Sequence, residues 1–459
     1  GVPPMASDPA WKAIYQARRT ALRARVPDGA ILLMGESLQP HVYPQSTYPF
    51  RQNSHVLYYS GLNEAEIALL LLPGGDEVLC MDAPTDDDLV WTGPLPPPER
   101  WVDDAGLTRT IARRDLPALL RDLAASRVPI RYIAGITPSQ REQLAQALGV
   151  GAADVNAGAS ALLRDAIINQ RNIKAVEELL ELETAVDVTA QMHAAAREVC
   201  VPGASELAVA ARIQSVALDY GRSLAYFPIV STHGEILHNN GYTNPLNAGD
   251  ILLIDAAAES PRHYASDITR TLAVDGTFTG QQQAIYDIVL KAQLTALAAM
   301  KPGVPYREVH DISARVVAAG LIDLGLMQGD PHEAVVAGAH ACFYPHGLGH
   351  FLGMDVHDME DLGEDHVGYG PGQTRSTQFG TAYIRCVRPL EAGFVVTVEP
   401  GIYFNPFLID QWQAAGLHRE FIRYDKLDAS WRDLRGIRIE DDVVVTETGA
   451  RVLGPGIPK

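Results

Sequence analysis

The chain has 459 residues, more than one ordinary domain holds, and its 47% hydrophobic and 20% charged content is that of a globular protein rather than a disordered or fibrous one. A formal net charge of −19 argues against nucleic-acid or anionic-membrane partners, which need a positive surface, and favours a small or peptide-like partner. No run reaches the ~18 apolar residues of a membrane span, and Cys80, Cys200, Cys342 and Cys386 lack CxxC spacing, so the expectation is a reducing, cytoplasmic setting without a thiolate zinc site or disulfide scaffold.

In chain order, the opening "GVPPMASDPAWKAIYQARRTALRARV" lacks an apolar signal core and reads as a short tail before Met5, then a helix capped by Ser7. Strand-like runs at 30–36, 55–61 and 67–75 alternate with helix-like stretches such as 115–125, which predicts an α/β domain. The proline-rich 92–101 reads as a surface loop, and this half carries no catalytic cluster. Near residue 170 the pattern changes to amphipathic helices, 172–199 and then a second one capped by Ser205 and ending at Gly221. The expected domains are therefore 1–170 and 171–459.

From 222 onward apolar strands alternate with two further helices, roughly 280–300 and 306–326. Four strand-like segments, 250–259, 264–274, 394–404 and 436–446, carry Asp255, Asp267, Glu399 and Glu440 inside otherwise apolar runs, and their pairing hints at duplicated halves. A buried, isolated carboxylate is prohibitively costly, so each must be paired or bound to metal. Arg270 and Arg438 could balance one or two. Four acids with an imidazole form a hard, oxygen-rich set suited to Mn²⁺ or a related ion, and they exceed what one ion needs. Two bridged ions and metal-assisted hydrolysis follow as the leading reaction class.

The segment "HGLGHFLGMDVHD" (346–358) holds His346, His350 and His357 in a chain with 14 histidines. His346 and His350 are spaced i, i+4, but the glycines between them disfavour a helix, so a loop or strand is expected whose glycines admit backbone close to ions or substrate. One histidine as ligand and the others as donors to a polarised carbonyl is the economical assignment. His263, His310, His332 and His418 are read as structural. His238, just before the first acidic strand, is not.

In order, "LHNNGYTN", "LLIDAAAE", "YASDITRT", "HGLGHFLGMDVHD", "TVEPGIYF" and "GIRIEDDVVVT" resemble the motifs of the Xaa-Pro metallopeptidases, prolidase and aminopeptidase P, and "YPFRQNSHVLYYSGLNEAE" resembles their N-terminal domain. The resemblance implies an aminopeptidase P-like α/β N-terminal domain plus an α+β pita-bread (creatinase/aminopeptidase-like) catalytic domain. It implies two divalent metal ions, usually Mn²⁺ with Co²⁺ or Zn²⁺ as alternatives, held by Asp255, Asp267, His350, Glu399 and Glu440. Glu399 would also shuttle a proton, His238 and His357 would contact the substrate, and His346 would line the site. Arg385 and Arg438 are placed among the substrate contacts. The expected partners are Xaa-Pro dipeptides, or peptides with proline second, and a homodimer or higher homo-oligomer. Two departures stand out: a hairpin one residue longer than usual around Ser260 to His263, and Ala257 in place of a common glycine.

Within that resemblance the N-terminal motif is closest to aminopeptidase P. The C-terminal half, with insertions at 359–384 and 405–434 and Arg385 as a bidentate carboxylate contact, is closer to prolidase. The expectation is a dipeptidase, with aminopeptidase activity on longer peptides as the alternative. Metal-free or inactive pita-bread binding modules are disfavoured because all five ligand positions are filled, and methionine aminopeptidase because of the large N-terminal domain.

Overall fold

The computed structural model describes residues 7–459, so the expected tail before Met5 lies outside the described residues. The first helix, Pro9–Arg25, is capped by Asp8 and not Ser7: the Asp8 carboxylate accepts the Ala10 N–H at 2.9 Å. Proline opens the helix, which makes the residue directly before it the N-cap. The chain divides into two compact units, Gly1–Gln170 and Arg171–Lys459. Among the described residues no helix is long and apolar enough to cross a membrane.

In the first unit, β1 (Ala30–Met34), β2 (Ala68–Leu71), β3 (Glu77–Cys80), β4 (Arg109–Ile111) and β5 (Ile130–Arg131) form one sheet in the order β4-β3-β2-β1-β5. Helices Leu116–Ala125 and Pro138–Leu148 cover it through Leu116, Leu120 and Leu144, packed on Leu32, Leu70 and Val78. The strand expected at 55–61 is instead the helix Ser54–Ser60. Asn53 accepts the Val56 N–H, Gly61 closes the helix at φ 70°, and all seven residues are buried, so no polar face exists to reveal the helical period. The expected loop 92–101 also gives way at Pro98, which opens a helix, Pro98–Ala105, with Trp101 buried.

In the second unit, β6 (Ile229–Ser231), β7 (Ile251–Asp255) and β8 (Thr269–Ala273) form an antiparallel sheet. β9 (Val395–Val398) pairs with β12 (Asp441–Val445), which pairs with β13 (Ala450–Val452), and β10 (Gly401–Tyr403) pairs with β11 (Gly436–Arg438). Helices Val176–Val199 and Glu206–Asp219 share a core with β7 through Val188, Ile213, Leu252 and Ile254. Helices Gly280–Ala299 and Tyr306–Asp323 do the same with β10 and β11 through Val289, Val317, Ile402 and Ile437. Side chains alternate along a strand, so Leu252 and Ile254 face the helices while Leu253 and Asp255 share the opposite face.

The four acids do not sit inside continuous strands as expected. Asp255 ends β7, Asp267 precedes β8, Glu399 lies between β9 and β10, and Glu440 lies between β11 and β12. Pro400, which has no N–H to give a ladder, helps break the run after Glu399. Strand interruptions let carboxylates converge where a regular pleat would spread them to alternate faces.

Candidate metal centre and active site

Asp267, His350, Glu399 and Glu440 each bring one ligand atom to within 4.8 Å of the others. Local pairing explains the convergence. An isolated bridge joins Thr269 to Glu440, and the Thr269 hydroxyl donates to Glu440 Oε1 at 2.7 Å. The Asp267 N–H donates to Asp442 Oδ2 at 3.0 Å. Residues 348–352 run beside β9: Glu399 N–H donates to Leu348 O at 2.8 Å, Thr397 N–H to His350 O at 2.9 Å, and Leu352 N–H to Val395 O at 3.0 Å. Gly349 permits this approach, because a Cβ there would overlap the Thr397 carbonyl oxygen. Gly347 and Gly349 both line the cavity, and Gly349 in addition admits β9.

His350 Nδ1 donates to the Phe351 carbonyl at 2.9 Å, which leaves Nε2 facing Asp267 Oδ2 at 3.2 Å and Glu399 Oε2 at 3.5 Å. A backbone carbonyl only accepts, so Nδ1 carries a hydrogen; Nε2 donates to Asp267 and Glu399 when the ring is protonated, which these acids favour, and would offer its lone pair to a cation held among them. Burial and the charges of Asp267 and Glu399 push the Glu440 carboxyl well above its ordinary value. Burial and Asp267 push Asp255 up to about 7, against the pull of Arg438. Glu440 Oε2 is buried without a hydrogen-bond partner. Crowded acids, an orphaned carboxylate oxygen and an O/N donor set without thiolate fit divalent cations.

Asp255 stands outside that four-residue group. Its Oδ1 accepts the Tyr226 hydroxyl at 2.5 Å and its Oδ2 accepts Arg438 Nη2 at 2.9 Å. Arg438 therefore balances an acid, whereas Arg270 pairs with Asp441 at 2.7 Å and with none of the four. From Arg438 a chain continues inward: Nη1 donates to the Tyr403 hydroxyl at 3.1 Å, and that hydroxyl lies 2.7 Å from His346 Nε2. His346 Nδ1 lies 2.7 Å from Gly347 O, so Nδ1 carries the hydrogen and Nε2 accepts from Tyr403. Burial holds His346 down at about 4, neutral, with both nitrogens engaged within the protein.

A cavity of about 1180 Å³ opens beside these groups, lined by His238, His346, His350, His357, Asp255, Asp267, Glu399, Arg385 and Arg438 among others. His263, His310, His332 and His418 are not among its lining residues. His357 stacks on His350, and its Nδ1 lies 3.2 Å from Glu360 Oε1. Arg385 Nη1 donates to Glu360 at 2.6 Å and to Glu364 at 3.2 Å, so its charge is shared by two acids. Sequence reasoning missed Tyr226, Tyr403, Thr269 and Glu360. Tyrosine and threonine in strand-rich sequence look like ordinary core, and only Glu360, three residues after His357, left a readable spacing.

An α/β unit followed by a pita-bread unit with a buried carboxylate and histidine centre defines a metallopeptidase. Residues 181–447 match metallopeptidase family M24, and residues 15–130 match the aminopeptidase P N-terminal domain. The chain belongs to metallopeptidase family M24. It is 32% identical to the Xaa-Pro aminopeptidase of Escherichia coli (strain K12), covering 97% of this chain and 95% of that protein, and 34% identical to Xaa-Pro aminopeptidase 2 of Streptomyces coelicolor, covering 98% and 90%. Among solved structures, aminopeptidase PepP of Pseudomonas aeruginosa superposes with a TM-score of 0.80 at 31% identity over 99% of this chain and 97% of that one. E. coli aminopeptidase P with the inhibitor Pro-Leu gives 0.79 at 30% identity over 98% and 96%.

Proposed function

We propose that the chain is an Xaa-Pro aminopeptidase, hydrolysing the bond between an N-terminal residue and a following proline in peptides longer than two residues. The convergence of Asp267, His350, Glu399 and Glu440 beside a large cavity carries this reading. The relatives' names favour aminopeptidase over the dipeptidase expected from the insertions. The cavity, at about 1180 Å³, exceeds the ~300–1,000 Å³ typical of a small-ligand pocket and suits a substrate that continues past proline.

Asp255, Asp267, His350, Glu399 and Glu440 would hold two divalent cations, Mn²⁺ in the first instance. When bound, such ions acidify water and stabilise negative charge on a carbonyl oxygen. Glu399 takes the proton of the attacking water on its carboxylate and returns it to the proline nitrogen, which has no hydrogen of its own and leaves poorly without one. His238 and His357 stand by the reacting carbonyl, where an imidazole N–H is worth most as the oxygen becomes negative. Arg438, tied to Asp255 and Tyr403, sets Asp255 in place and adds positive charge at the cavity wall.

The dipeptidase reading keeps one observation in its favour: Arg385 lines the cavity and could meet a free carboxylate next to the proline ring. Its sharing between Glu360 and Glu364 weakens that role. Protein stripped with chelator and reloaded with Mn²⁺ should cleave Ala-Pro-Ala faster than Ala-Pro. Cleavage confined to Ala-Pro would return the assignment to a dipeptidase.

A further inference from the structure

We propose that Glu360 is a positioning residue for the reaction: it fixes the imidazole of His357, and Arg385 holds Glu360 in place. The inference rests on His357 acting in Xaa-Pro hydrolysis as described above.

The backbone is built to bring this carboxylate back to the ring. Met359, between the end of the histidine motif and Glu360, adopts φ 58° and ψ 17°, a left-handed conformation that an unbranched non-glycine residue enters only when its surroundings demand it. Those surroundings are specific. The Met359 N–H donates to Asp355 Oδ2 at 3.2 Å, and the Met359 side chain is fully buried. The adjacent Asp358 is buried and clamped by Arg171 at 2.9 Å and Lys174 at 2.7 Å. The Glu360 N–H then closes the turn on His357 O at 3.3 Å. The reversal places Glu360 on the same side as His357, one turn away.

At that point Glu360 Oε1 accepts from both His357 Nδ1, at 3.2 Å, and Arg385 Nη1, at 2.6 Å. One face of the His357 ring is covered by His350, with centroids 3.9 Å apart and planes 18° from parallel. With that face stacked and Nδ1 tied down, Nε2 is the ring's remaining polar atom, and His357 lines the cavity. A carboxylate at Nδ1 also supports a proton on Nε2 as charge develops on a substrate oxygen, the same division of labour as in a carboxylate–histidine pair of a hydrolase. Arg385 prevents Glu360 from swinging away and is itself braced by Glu364, which Arg375 holds in turn. Arg385 thus acts through Glu360 rather than as a free anion clamp.

The test is a double-mutant cycle on the full-length, Mn²⁺-reloaded protein with Ala-Pro-Ala as substrate. Glu360→Ala should lower kcat about 10- to 100-fold, as removal of an orienting partner does, with KM changed less than about 3-fold and with unaltered metal content and melting temperature. Glu360→Gln, which keeps an accepting oxygen, should lose less. In a His357→Ala background, adding Glu360→Ala should change kcat by less than about 2-fold, because the partner it serves is gone. Losses that multiply in that background would overturn the proposal, as would an undiminished kcat in a folded Glu360→Ala protein. If Glu360→Ala does not fold, Glu360→Gln carries the same cycle. A parent protein that leaves Ala-Pro-Ala intact would overturn the functional reading, and this inference with it; an active parent with an independent Glu360 overturns the inference alone.

Discussion

His350 and His357 lie face to face with ring centroids 3.9 Å apart, yet His350 aims Nε2 at Asp267 and Glu399 while His357 turns Nδ1 to Glu360. Two stacked imidazoles therefore have different partners and different expected losses. His350→Ala should fail to retain metal, measured by elemental analysis after dialysis. His357→Ala should keep its metal and lose roughly 10²- to 10⁴-fold in kcat, the range for a group that assists at the reacting atoms. Equal metal loss in both variants would remove the distinction.

Glu440 is buried among Asp267, Glu399 and Asp255, with one oxygen unpartnered. Without cations this crowding opposes folding, so Glu440→Gln should stabilise the metal-free protein while weakening metal binding. Calorimetry should show a rise of about 1–2 °C per kcal/mol gained. Mn²⁺ should raise the melting temperature of the parent and raise that of the variant much less.

Gly349 carries no strained dihedral; it is needed because β9 lies against it. A methyl overlapping the Thr397 carbonyl must push 348–352 off β9 and take His350 with it. Gly349→Ala should lose about 1–3 kcal/mol of stability by denaturant titration, and metal affinity should fall with it.

Burial, with the charges of Arg270 and Arg197, holds His193 down at about 4, burial with nearby charges does the same to His340, and burial with His340 beside it drives His310 well below 6.5. Between those values and 6.5 the unfolded chain binds protons that the folded one refuses. The contribution of these imidazoles is thus complete above about 6.5 and declines toward pH 4, by about 1.4 kcal/mol per pH unit for each, while Asp255 and Glu440, raised in the metal-free protein, contribute in the opposite direction over the same range. Urea titrations at pH 7, 6 and 5 should show the histidine term as the difference between the parent and a variant that lacks one of these imidazoles. His193→Gln, which can still donate to the Ala256 carbonyl that His193 Nε2 meets at 2.9 Å, should gain stability relative to the parent as pH falls from 6.5 to 5, by about one proton's worth of slope.

The acids were legible because a charge in an apolar run has few physical excuses, and the histidines because glycine-rich spacing ruled out a helix. The strand breaks that gather the acids were not, since a run such as "FVVTVEPGIYF" keeps its β-forming composition across Glu399 and Pro400. Ser54–Ser60 hid its helix by being buried on every side. The Arg438–Tyr403–His346 chain joins residues 35 and 57 positions apart, and no local pattern encodes such a contact. Arg385 was legible as a cavity cation but not as a partner of Glu360, because the left-handed turn at Met359 that brings the two together has no glycine to announce it.

The most direct measurement is mass spectrometry of Ala-Pro-Phe-Gly and Ala-Ala-Phe-Gly incubated with chelator-stripped protein, before and after Mn²⁺ is restored. The account expects alanine to be released only from the proline peptide and only with metal present. Release without metal, or equal release from both peptides, would contradict it.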